Sequence, residues 1–306
     1  MFDYEYWGNN TLSIKQNMAL EEYLLARSES KNVATVRFWN VEKDAVVLGY
    51  GEDASNIKKL DSSFDVARRI TGGSHVQFDS SCIAYSFTVP RDGSFRHFED
   101  MRKYFAQSIY DALAELGVDD VRVDNRASTI NVNDKVIASH AIFWGVKSAL
   151  MHGLLLIDKY NVDKILERVA LRERRIGNGT YAEYSALANA PNMISVLGKC
   201  LDSVDHAERN AYAKKLAVDE ILKQVTEGKF SGKLPSQGTL SDAEALTRAR
   251  HASEPWFIER RPPYTEEEVE SIPGEELSGA LKKNQGYCLY IQVPDRDFAK
   301  MAQPSE

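Results

Sequence analysis

The chain has 306 residues, 43% hydrophobic and 27% charged. That is the balance of a globular protein able to bury one large core, or a large core and a small one. Its net charge of −7 argues against broad, charge-driven nucleic-acid binding. The three cysteines, Cys82, Cys200 and Cys288, are far apart, and the six histidines show no HxxxH or HExxH spacing. Neither a disulfide framework nor a zinc site is expected. No apolar run approaches the ~18 residues of a membrane span. The opening MFDYEYWGNN shows no basic-then-apolar leader, so the expectation is a cytoplasmic protein.

NMALEEYLLA, residues 17–26, consists of strong helix formers and predicts an amphipathic helix. VATVRFW and DAVVLGY are β-rich runs separated by NVEK and predict a hairpin-type pair. FDVARRITGGSHVQF predicts strand, glycine turn, strand. SCIAYSFTVP alternates and ends at Pro90. Met101, Tyr104, Phe105, Ile109, Leu113 and Leu116 recur at helical spacing and predict a helix over about 97–116, with Gly117 as its C-terminal stop. VRV, STINVND, KVIASHAIFWG and ALMHGLLLI predict four short strands, and NVDKILERVA a short helix.

From about Leu187 the pattern becomes helical, through HAERNAYAKKLAVDEILKQVTEG and LSDAEALTRAR. The proline- and acid-rich ERRPPYTEEEVESIPGEE predicts a boundary, and YCLYIQVP a last strand. Strands and helices intermix without a strict βαβ rhythm, which predicts an α+β fold with a helical C-terminal extension. The division expected is 1–205, 206–261 and 262–306.

The chemistry concentrates in RRITGGSHVQFD, residues 68–79. A glycine pair between strands allows positive φ and close approach of backbone to a ligand. Its N–H groups can cradle phosphate or carboxylate oxygens, and an arginine can add charge-assisted bonds to the same anion. Strand alternation lets only one of Arg68 and Arg69 face a cleft. The stretch is neither a P-loop nor a GxGxxG fingerprint; a tight β-turn beside a solvated arginine pair is the plain alternative. Lys135 opens an apolar strand after a polar turn. It is either a surface lysine or a group that stabilises developing negative charge. His152 lies inside an apolar strand, where a hydrogen-bonded core histidine is the commoner outcome. Cys82 reads as a small buried hydrophobe.

Taken in order, NMALEEYLL, RFWN…VVLGYG, RRITGGSHVQFD, NRASTINVNDKVIASHA and MHGLLLI resemble the lipoate–protein ligase and octanoyltransferase family, over about residues 10–200. The resemblance implies a central mixed β-sheet flanked by helices, in the biotin/lipoyl ligase fold. It implies an enzyme that makes lipoyl-AMP from lipoate and MgATP. The lipoyl group then passes to a lysine of a lipoyl domain, on a 2-oxoacid dehydrogenase E2 or a glycine-cleavage H-type protein, in some ligases with a separate accessory subunit. Carried over by motif, Arg69, Gly72, Gly73, Ser74, His75, Val76 and Gln77 line the acyl and nucleotide pocket. Lys135 contacts the adenylate oxygens beside Ala138. His152 and Gly153 flank the acyl tunnel, with Trp39 and Gly49 beneath. The basic, glycine-rich segment 172–179 falls where an adenylate-binding loop is expected.

The chain departs from the family pattern at four places, five residues in all. Ser74 stands for a third glycine, Phe78 for a histidine, Ala127-Ser128 for Asn-Asp, and Ala138 for a glycine. Relatives that take an octanoyl group from an acyl carrier protein use a cysteine nucleophile or a lysine–cysteine pair. One subgroup carries the cysteine in the segment matching 121–134, which has none here. Such a transferase, and a non-catalytic lipoyl-domain binder, are the alternatives to the ligase.

Overall fold

A computed structural model describes residues 2–58, 62–159, 161–170, 193–197 and 201–260. The segment 172–179, the strand expected over 287–294, the acid-rich stretch from residue 261 onward, Cys200 and Cys288 lie outside the described residues.

The sheet elements are β1 (Tyr4–Leu12), β2 (Ala34–Val41), β3 (Ala45–Leu48), β4 (Asp65–Arg68), β5 (Val76–Phe78), β6 (Cys82–Pro90), β7 (Val121–Asp124), β8 (Thr129–Val132), β9 (Lys135–Trp144), β10 (Ser148–Leu156) and β11 (Phe230–Gly232). They form two sheets. The larger runs β11-β1-β2-β6-β10-β9-β8-β7, and the smaller β4-β3-β5. β1 pairs parallel with β2 and β11, while β2 to β7 are joined antiparallel, so the large sheet is mixed. With the helices around it, the fold is α+β.

A local expectation changes. β2 and β3 do not form a hairpin: β2 lies between β1 and β6 in the large sheet, β3 between β4 and β5 in the small one. β3 is buried at every position and β2 at its first six. A strand buried on both faces needs neighbours on either side, and a two-stranded ribbon supplies only one. The glycine stretch does lie between two strands, which pair with β3 and not with each other. β4 runs parallel to β3 and β5 antiparallel to it, so residues 69–75 cross over the end of β3.

Helix α1 (Ile14–Lys31) starts at a capping box in which Ser13 and Gln16 bond each other's backbone amides at 3.3 and 3.1 Å. It is not amphipathic in the simple sense, since twelve of its eighteen residues are buried. One side meets β6 and β10; the other packs Leu20, Tyr23 and Leu24 against Ala243 and Leu246. Glu21 and Glu22 are both buried as a result. Helix α2 (Phe98–Glu115) ends as expected: Gly117 takes φ +78°, and Val118 N–H bonds the Leu113 carbonyl at 3.0 Å.

Helix α3 (Val162–Arg168) follows β10, and α4 (Arg209–Thr226) packs along α2. Helix α5 (Gln237–Leu246) leads into two wide turns, Thr247–His251 and Pro255–Glu259. The second of these turns grips the small sheet. Trp256 Nε1 donates to the Arg68 carbonyl at 3.0 Å, and Arg68 donates twice to the Phe257 carbonyl, at 2.9 and 2.7 Å. Among the described residues, no helix is long and apolar enough to cross a membrane.

Candidate functional site

A cavity of about 440 Å3 lies between the large sheet and the small one, within the usual range for small-molecule sites. Met18, Trp39, Val47, Phe78, Leu154 and Leu156 line it on the side of β2 and β10. Asp124, Ser128, Asn131 and Asp134 line it on the side of β7 and β8. Five strand spacings separate β2 from β7, roughly 24 Å at ~4.8 Å each. One end is therefore apolar and the other polar, the arrangement an amphiphilic ligand requires.

Of the two arginines at the close of β4, Arg69 lines the cavity, whereas Arg68 bonds the carbonyls of Gly49, Tyr50, Glu52 and Phe257. Arg69 is not a loose anion clamp. Its Nη2 donates to the carbonyls of Gly72 at 2.6 Å and Ser74 at 2.8 Å, and its Nη1 to that of Val47 at 3.3 Å. The guanidinium gathers the loop's carbonyls beneath it.

Gly73 has φ +90° and presses its carbonyl against Gly49, where a Cβ would lie 1.8 Å from that oxygen. Gly49 is thus the seat of the loop and not a wall of the cavity. Gly73, Ser74, His75 and Val76 line the cavity; Gly72 and Gln77 do not. Gln77 bridges Asp79 at 2.9 Å and Arg168 at 3.2 Å. Glu52 braces the same region, taking the Gly49 amide at 3.0 Å and His75 Nδ1 at 2.9 Å.

His152, Gly153 and Ala138 line the cavity, as does Trp39. Gly153 serves the opposite face of the sheet as well. A Cβ there would meet the Ser139 carbonyl at 2.1 Å and the Tyr85 hydroxyl at 2.5 Å. Gly153→Ala is accordingly expected to cost about 3 kcal/mol by overpacking. Urea unfolding of the variant measures it, and unchanged stability would show that Tyr85 and Ser139 can yield.

Lys135, at the start of β9, is half-buried. The lining passes through Asp134 and Val136 on either side of it but does not include Lys135. Phe78 packs its ring 4.9 Å from that of Trp39. Ser128 takes φ +57° at the turn between β7 and β8, where Asp124 caps the amides of Arg126 and Ala127 at 2.8 and 2.9 Å. Among the described residues, no three His, Cys, Asp or Glu side chains are grouped to hold a metal ion.

Sequence reasoning passed over a buried carboxylate that holds two of the lining residues, Trp39 and His152. Glu21, on α1, accepts from Trp39 Nε1 at 3.2 Å and from the Ser86 hydroxyl, and pairs with His152 Nδ1 at 2.7 Å. Burial alone would raise its pKa. His152, the Ser86 hydroxyl and Arg37 outweigh that and hold the carboxyl below its usual value. Its signal was legible: Glu21 shares a helix face with Ile14, Met18 and Leu25, where a carboxylate needs a partner. His140, also in the lining, is held at about 4 by burial and by Arg102, so its imidazole is neutral at pH 7. Burial, with Asp79 nearby, pushes the Cys82 thiol up to about 12, far from a thiolate nucleophile at neutral pH.

Comparison with known proteins agrees with this geometry. Residues 13–188 match the lipoyl protein ligase A/B catalytic domain. Lipoate–protein ligase 1 of Staphylococcus aureus is 24% identical over 176 residues, which are 55% of this chain and 50% of that protein. The chain spans about half the length of the curated relatives it matches. Among solved structures, a bipartite lipoate protein ligase of Thermoplasma acidophilum, described with its E2 lipoyl domain, superposes with a TM-score of 0.66 at 17% identity. That match covers 84% of this chain and 96% of the other. A lipoate–protein ligase A bound with ATP gives a TM-score of 0.64 at 17% identity over 84% and 98% of the two chains. These two likenesses show the fold, and the catalytic-domain match, spanning more than half of the chain, places it in the lipoyl protein ligase A/B family.

Proposed function

We propose that this chain is a lipoate–protein ligase, which activates lipoate with ATP to lipoyl-AMP and transfers the lipoyl group to a lysine of an acceptor protein. The observation that carries this reading is the cavity itself. It is apolar between Trp39, Phe78 and Leu154, polar at the β7–β8 end, and overhung by a glycine loop whose carbonyls Arg69 holds back. An acyl chain in the apolar end gains about 0.8 kcal/mol for each CH2 buried. The loop amides then face the carboxylate and phosphate oxygens, whose mutual repulsion opposes adenylation. Magnesium enters this reading on the triphosphate, with no ligand assigned to the chain.

Lys135 is the proposed catalytic lysine, at the rim between the lining residues Asp134 and Val136. Its ammonium would reach the adenylate oxygens once substrate is seated. Lys135→Ala is expected to lower kcat for lipoyl transfer by about 10²-fold or more, with lipoate binding retained. Transfer at the wild-type rate would remove this role.

The acceptor is proposed to be a lipoyl domain or an H-type protein. The Thermoplasma neighbour, described with an E2 lipoyl domain, supports the former. Its bipartite description also supports an arm of the test that bypasses activation. Purified lipoyl domain is incubated with the chain, lipoate and MgATP, and its intact mass is read. A gain of one lipoyl group is the expected result; a gain only from synthetic lipoyl-AMP would assign activation to a separate subunit. No gain from either donor would overturn the reading.

A further inference from the structure

Glu21, His152, Thr71 and Arg69 form one continuous chain of hydrogen-bonding groups beside the cavity, with Arg69 and His152 in its lining, and each is more than nine-tenths buried. Arg69 Nε lies 2.9 Å from Thr71 Oγ1, Thr71 Oγ1 lies 2.6 Å from His152 Nε2, and His152 Nδ1 lies 2.7 Å from Glu21 Oε2. The chain ties α1 and β10 to the loop that crosses β3.

Its polarity follows from its ends. A guanidinium only donates, so Thr71 Oγ1 accepts from Arg69. A carboxylate only accepts, and Oε1 of Glu21 already takes the Trp39 indole N–H and the Ser86 hydroxyl. His152 must therefore carry a proton on Nδ1. With a neutral imidazole, the Thr71 hydroxyl donates to a bare Nε2, and every group in the chain has one role. A glutamine in place of Glu21 disturbs this order, because the Ser86 hydroxyl and His152 donate to its two different oxygens while an amide accepts on one side only; Trp39 Nε1 keeps Ser86 Oγ at 3.0 Å.

We infer that Glu21 and Thr71 are positioning residues for the anion-binding loop. The chain fixes the Arg69 guanidinium, and that guanidinium fixes the carbonyls of Gly72 and Ser74, hence the direction of the loop's amides. The ligase reading enters only in naming what those amides bind, the phosphates of a nucleotide.

The test uses 15N-labelled protein at pH 7 and the long-range 15N–1H correlations of its histidine rings. Wild-type His152 is expected in the Nδ1–H form with Nε2 bare. In E21Q that pattern should change to Nε2–H, and the amide resonances of Gly73 and Ser74 should move, although Glu21 bonds neither. In T71V, KM for ATP should rise about tenfold, the worth of one well-placed hydrogen bond, while KM for lipoate stays within about twofold; T71S should restore both.

If E21Q does not fold, T71V and T71S decide the matter through the Ser74 amide and the ATP KM. Wild-type His152 protonated on Nε2, loop amides unmoved in E21Q, or equal changes of both KM values in T71V would each overturn the inference. A wild-type protein that lipoylates nothing would sink the ligase reading alone, since the ring and amide signals still decide the positioning roles.

Discussion

Arg69→Met is expected to reduce lipoyl transfer by about 10³-fold, the upper end of what the loss of one oxyanion donor costs. The argument begins with what the guanidinium holds. Gly72, Ser74 and Val47 each lose a donor to their carbonyl oxygens, and Thr71 loses one to its hydroxyl. An orphaned buried acceptor costs about 1–3 kcal/mol, and the loop is expected to turn its carbonyls toward the cavity water. Removing a desolvated charge offsets part of the loss in stability, so activity should fall further than stability. Arg69→Lys separates charge from geometry. It keeps the positive charge but has no planar fork to reach Thr71, Gly72 and Ser74 together. The expected result is a lysine variant impaired nearly as much as the methionine variant. If the lysine variant ligated lipoate at the wild-type rate, Arg69 would act as a charge facing the substrate, and its role as organiser of the loop would be wrong.

How much of this was legible in the sequence depends on the range of the forces involved. α2 and its glycine stop, β6 and β10 follow from local periodicity and backbone sterics, which a short window contains. The placement of β2 and β3 in different sheets does not. Nothing within VATVRFW or DAVVLGY states which neighbour will cover each face, since that is settled by β1, β4, β5 and β6. The glycine stretch was read as an anion site from its residue types. That Gly49 forms the seat of its loop is a contact between residues 24 positions apart, set by the Gly73 carbonyl. The resemblance to a family chose between the two readings of Lys135, which its position after a polar turn had left open. Conversely, the resemblance was silent on Glu21 and Thr71. Their signal was physical: a carboxylate on an apolar helix face, and a threonine next to a buried arginine.

Acid is expected to destabilise this fold most steeply below about pH 4.5, and Glu21 is expected to be a main cause. Its carboxyl titrates in the folded protein below the ordinary value of 4.5. A group whose folded pKa is depressed contributes stability that is complete above its unfolded pKa and is lost as pH falls through the folded one. Above pH 4.5 the charge is present in both states and the stabilisation is intact. Below it the unfolded chain takes up the proton first, which favours unfolding. Glu5 adds to the same window. Partial burial would raise its pKa, but Arg27, Trp7 and Lys233 bring it down to about 2. Glu21→Gln distinguishes the two contributions. At pH 7 the variant should lose about 3 kcal/mol, because Arg37 remains buried without a carboxylate beside it and the donors that met Glu21 are no longer all satisfied. Its stability should then change less between pH 6 and pH 3 than that of the wild type, the remaining slope belonging to Glu5 and the surface carboxylates. Urea unfolding at pH 7, 5 and 3 measures both. A wild type that gained stability relative to the variant as pH fell from 7 to 5 would mean that Glu21 is protonated in the folded state at neutral pH. The direction of the chain from Arg69 through Thr71 and His152 would then have no ionised end to set it.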